Sequence, residues 1–169
     1  MKKIFTLLIC LYGIAVYAQN KSYTINWSGS KSLQTESFTA TVPFFKNKNN
    51  FSFDMDEGLL FTHEFSVSAA INSNTASITN IQYATISKEE LKDLIYYKIP
   101  SDISFSLNNA IDRGKVNAFL KLSPIIKEGN SYKKVISFSI NYSSSSSLAS
   151  SFSTQAVTNS VLATGEWFK

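Results

Sequence analysis

The sequence predicts a mostly β chain: an antiparallel β-sandwich with one short helix near residues 87–95. Three observations predict it. Apolar and polar residues alternate with period two in run after run, and in a strand alternate side chains face opposite sides. The apolar positions are rich in aromatic and β-branched residues, which fit a pleated, half-buried surface. Short polar turns separate the runs, which points to an antiparallel sandwich.

The first element is a cleavable secretory signal, residues 1–18. Lys2 and Lys3 make a positive start, and residues 4–16 form an apolar stretch too short for a comfortable membrane span. Val16-Tyr17-Ala18 places small residues where a signal peptidase reads, so the expected cut precedes Gln19. No stop-transfer pattern follows, so no transmembrane helix is expected in the mature chain. A lipid anchor on Cys10 is set aside, because Ile9 before it is too large and the apolar run continues past it.

The domain expected over 19–142 is read strand by strand. Tyr23, Ile25 and Trp27 share one face. Phe38, Ala40 and Val42 share the next, and Phe65, Val67, Ala69 and Ile71 another. Between Ile78 and Ile86 the phase slips, which a bulge near Thr79 and Asn80 repairs, as would two strands with a short break. Ser87-Lys88-Glu89-Glu90 is a capping box, followed by Leu91, Leu94 and Ile95 on one side of a short helix, with Pro100 beyond its end. Ile103, Phe105 and Leu107 resume the alternation. Val116, Ala118, Leu120 and Leu122 continue it, and Ile136, Phe138, Ile140 and Tyr142 give the clearest run. Lys46-Asn47-Lys48-Asn49-Asn50 and Asp112-Arg113-Gly114-Lys115 read as turns. Lys127-Glu128-Gly129-Asn130 reads as a hairpin joining the strands near Leu120 and Ile136.

Composition then shifts. Residues 143–160 open with a serine run and stay rich in Ser, Thr, Ala and Asn, which bury little apolar surface, so they read as a linker. Residues 161–169 look like a strand that either pairs back or opens a following domain.

Chemistry is sparse. Cys10 leaves with the signal, which excludes disulfides, thiolate metal ligands and a cysteine nucleophile from the mature chain. Loss of Lys2 and Lys3 lowers the formal charge from +4 to +2, and Arg113 is the one arginine. With no basic run interleaved with aromatics, nucleic acid is not an expected partner. His63 is the single histidine and nothing in the spacing links it to a serine or aspartate, so its expected role is structural. Asp54-Met55-Asp56-Glu57-Gly58 is the densest acidic cluster. Asp54 and Asp56 could offer oxygens to a hard cation, but a full calcium-loop spacing is missing and turn chemistry explains the residues. Glu89, Glu90 and Asp93 are explained by capping and a charged helix face. Trp27, Trp167 and the phenylalanines could line a sugar surface, yet core packing accounts for most of them first. No phosphate loop is present, and no catalytic residue or cofactor is expected.

Ser160-Val161-Leu162-Ala163-Thr164-Gly165-Glu166-Trp167-Phe168-Lys169 resembles the strand that opens the conserved part of PorU-type sortases, the gingipain-like cysteine peptidases of the type IX secretion system. Its motif residues are Gly165, Trp167, Phe168 and Lys169. Their N-terminal regions share this layout of signal, variable β-rich domain and small-x-Gly-x-Trp-aromatic-Lys strand. The Lys, Asn, Ser and Ile-rich composition suits a Bacteroidetes-type bacterium. Such sortases remove the C-terminal sorting domain of exported cargo and join the cargo to anionic lipopolysaccharide, using a cysteine and a histidine. Neither carries over, since Cys10 lies in the signal and His63 far upstream. The resemblance implies a non-catalytic, propeptide-like domain, exported by the Sec pathway to the periplasm or outer-membrane surface. Its implied partners are a following peptidase domain and other outer-membrane attachment-complex proteins. The alternative is a stand-alone secreted binding module for a glycan or a surface protein.

Overall fold

A computed structural model describes residues 18–34, 38–112 and 115–144. The signal before Ala18, the linker beyond Ser144 and the 161–169 motif lie outside the described residues.

Among the described residues ten strands form three antiparallel sheets. The first holds β1 (Ala18–Thr24), β10 (Ser131–Ser144) and β6 (Ile71–Ile86) in that order, with β9 (Ile125–Glu128) pairing β10 on the same edge as β1. The second is a ribbon of β2 (Trp27–Gln34) and β3 (Thr39–Phe45). The third runs β4 (Phe51–Asp54), β5 (Gly58–Ser66), β8 (Lys115–Leu122), β7 (Phe105–Asp112). The first and third sheets face each other across a continuous core that includes Phe61, Leu107, Leu120, Leu122, Phe138, Ile140 and Tyr142. This is the expected antiparallel β-sandwich. Phe45 links the ribbon to it through ring contacts with Phe51 at 5.4 Å and Phe61 at 6.0 Å, and Trp27 packs on Phe45 within the ribbon.

The helix forms where the capping box lies. Ser87 Oγ accepts from the Glu90 amide at 3.2 Å and a Glu90 carboxylate oxygen accepts from the Ser87 amide at 3.0 Å. The short α1 (Lys88–Leu91) runs into a 3₁₀ turn, Lys92–Tyr96, and buries Leu91 and Leu94. Asp93 then accepts from the Thr41 amide of β3 at 2.6 Å, so the helix satisfies a strand edge that would otherwise lie open.

The slip after Ile78 is a bulge within one strand. Asn80 takes φ +51, and Asn80 with Ile81 opposes the single residue Phe138. An asparagine tolerates that conformation better than a β-branched residue does.

Five expectations are corrected. The run from Phe65 to Ile71 is not one strand: β5 ends at Ser66, the chain crosses to the opposite sheet, and β6 starts at Ile71. The Asn109 side-chain amide holds that start, donating to the Ile71 carbonyl at 2.8 Å and accepting from its amide at 2.7 Å. The run from Tyr23 to Trp27 belongs to two strands in two sheets, jointed at the buried Ile25, whose amide donates to Ile136 O at 2.7 Å. The hairpin at Gly129 joins β9 to β10, not the Leu120 strand to β10, because Ser123 and Pro124 carry the chain between sheets first. Ile136 is not inward. One extra residue at Val135 and Ile136 turns it out to 36% exposure while Val135 is buried. Ser143 and Ser144, the first serines assigned to the linker, are part of β10.

Candidate functional site

The described residue with the richest chemistry is His63, and the sheets set its surroundings. On β5 the inward positions are Phe61, His63 and Phe65, each opposite an inward residue of β1 or β10. Tyr23 of β1 meets His63 edge-on at 5.3 Å and stacks on Phe138 at 5.1 Å. Phe65 lies 6.0 Å from the His63 ring, and Tyr142 lies 6.0 Å from Phe65. Lys21, also inward on β1, places Nζ 4.2 Å from the Phe65 ring centre, a cation–π contact. His63 Nδ1 is 3.3 Å from Asn50 Oδ1, so the neutral ring donates there with its proton on Nδ1.

Burial and then the nearby Lys21 charge lower the His63 pKa below its ordinary value. Burial, and then Tyr142, raise that of Tyr23, and burial raises that of Tyr142. The hydroxyls of Tyr23 and Tyr142 are buried and have no hydrogen-bond partner among the described residues. The half-buried box therefore favours a neutral imidazole and neutral phenols. Among the described residues the imidazole hydrogen-bonds Asn50 and packs against the rings of Tyr23, Phe61 and Phe65.

The other candidates stand apart. Asp54 Oδ1 accepts from the Asp56 and Glu57 amides at 2.8 and 3.0 Å, closing the turn ahead of Gly58, whose φ is +76. Asp56 is exposed on that turn, and Glu57 pairs with Lys121 at 2.8 Å. Among the described residues no group of three His, Cys, Asp or Glu could hold a metal ion. Glu90 is held by its cap, and the Ser87 amide foremost, then Lys134, lowers its pKa. Trp27 sits over β10 and donates to the Val135 carbonyl at 2.8 Å. No helix among the described residues is long and apolar enough to cross a membrane. Gly165, Trp167, Phe168 and Lys169 lie outside the described residues.

No protein-family model matches the chain, and no curated protein matches it. Solved structures resemble the chain. One of them is the complex of the pro- and mature domains of Porphyromonas gingivalis RgpB, at a TM-score of 0.48 and 12% identity, over 80% of this chain and 83% of that chain.

Two features escaped the sequence reading. Lys21 shares the phase of Tyr23 and so faces inward, a placement readable from the alternation once β1 is accepted as a strand. Where β1, β10 and β6 lie side by side, the first sheet carries an uncharged outward ladder: Asn20 donates to Asn141, Asn141 to Thr79, and the Ser22 and Ser139 hydroxyls meet at 2.9 Å. Serine and asparagine at every second position of β1 and β10 were its signal.

Proposed function

We propose that this chain is the non-catalytic, propeptide-like N-terminal domain of a type IX secretion system sortase at the cell surface. In this reading the remainder of the enzyme cleaves the C-terminal sorting signal of cargo and attaches cargo to anionic lipopolysaccharide. One observation carries it: a signal-like start, a β domain and a serine-rich stretch are followed by Gly165-Glu166-Trp167-Phe168-Lys169. The side chains fit a supporting role. His63 packs among rings, and Asp54, Glu90 and Asp93 are engaged in a turn, a cap and a strand edge. The domain would then act by contact, seated on the peptidase domain or on attachment-complex partners.

Sequencing the locus past the Lys169 codon tests this. The expected result is an open frame running into a gingipain-like domain that supplies the cysteine and histidine. A stop codon there, together with glycan-array binding by the isolated chain, would favour the stand-alone module, which draws on the uncharged ladder of the first sheet. Turnover of a sorting-signal substrate by this chain alone would defeat both readings.

A further inference from the structure

We propose that β1 is a pH-released strand: protonation of His63 undocks Ala18–Thr24 from the sandwich while the remaining strands stay folded. The geometry isolates this strand. Among the described residues β1 is an edge strand with β10 as its one sheet partner. Two of its inward side chains, Lys21 and Tyr23, lie over the box that contains His63: Tyr23 contacts the imidazole at 5.3 Å, and Lys21 takes the adjoining Phe65 ring at 4.2 Å. Beyond Thr24 the chain is pinned, since Ile25 is 3% exposed and bonded to Ile136, and Trp27 donates to Val135. A hinge at Thr24 therefore lets β1 leave without pulling the ribbon away.

Burial and the Lys21 ammonium disfavour the imidazole's cation, and the other groups facing it are neutral. From β1 come the Lys21 ammonium and the Tyr23 phenol, which burial keeps neutral. From the turn before β4 comes Asn50, neutral and bonded at Nδ1. From β10, beyond Phe65, comes the Tyr142 phenol, also kept neutral by burial. On β5 itself Glu64 points to the opposite face and accepts from Asn117 at 2.7 Å. Among the described residues no carboxylate is thus placed to compensate an imidazolium, and Phe65 already serves Lys21. Moving β1 away rehydrates His63 and separates it from Lys21 in one step. For one proton, the docking constant falls at most about tenfold per pH unit below roughly pH 6.5.

Amide hydrogen exchange on the full chain, isolated after export and corrected for intrinsic rates, tests this between about pH 7.5 and pH 5.5. The expected result is a severalfold loss of protection in the β1 amides from Asn20 to Thr24 with β8 unchanged. His63→Gln should remove that pH dependence, and Lys21→Gln should reduce it. Unchanged protection in β1, or parallel loss in β1 and β8, overturns the proposal. If His63→Gln does not fold, the His63 ring titration followed by NMR in the unaltered chain decides: a pKa at or above the ordinary value also overturns it.

Discussion

β8 and β1 alternate with the same period and bury very different things. The inward side of β8 is Ala118, Leu120 and Leu122, all at 0% exposure, with β5 on one flank and β7 on the other. The inward side of β1 is Gln19, Lys21 and Tyr23, all half-buried, with β10 on one flank. Period two tells which side chains turn inward. Flanking strands and the chemistry of those side chains decide how firmly the strand is held. The inward lysine has a second effect, because a charge on the inner side of an edge discourages foreign strands from adding to it.

The contrast can be tested from its strong end to its weak one. Leu120→Ala removes a fully enclosed side chain and should cost about 2–5 kcal/mol in denaturant unfolding; a cost below that of any β1 substitution would erase the difference between the strands. Asn109→Ala deletes both amide bonds to Ile71 and should cost about 1–3 kcal/mol by the same measurement, with β6 amides near Ile71 exchanging faster. Tyr142→Phe removes a buried hydroxyl that has no partner, so stability should change by less than about 1 kcal/mol and can rise. A large loss there would reveal a hidden bond in the box.

The acid response is the gentlest. His63 binds protons less readily folded than unfolded, so the unfolded chain holds more protons between the folded pKa and about pH 6.5. Its contribution is therefore complete above that pH and declines as pH falls through the window. Thermal unfolding at stepped pH should show this slope and lose it in His63→Gln; identical slopes would place the titrating group elsewhere. The Glu90 cap, with its pKa held low, gives way only in more acidic solution.

What could be read beforehand follows from the range of each signal. The capping box at Ser87 and the bulge at Asn80 are local, and both were legible. So were the buried faces of β8 and of most of β10. Sheet membership is not local. Nothing near Ile25 announces that Tyr23 pairs with Phe138 while Trp27 pairs with Phe45. The Phe65 to Ile71 run kept its alternation through a crossing between layers, because inward residues of either sheet meet the same core. The Ile136 reversal depends on one extra residue whose position only the paired strand reveals. At the candidate site, His63 was visible as a lone histidine, but its enclosure by Tyr23, Phe65 and Lys21 is a tertiary fact.

The bulges of β6 and β10 carry one further lesson. The extra residue at Asn80 and Ile81 lies on one strand, and the extra residue at Val135 and Ile136 on the other; the pairs flanking them, Ile78 with Ile140 and Ala84 with Lys134, share one register, which shifts again only between Asn141 and Ser143. The strands thus behave like two rulers that each gain a tick. Losing one tick would slip everything beyond it and carry Tyr132 toward solvent, whereas losing one from each would restore alignment. Length variation here should arise in matched pairs, one residue from each strand.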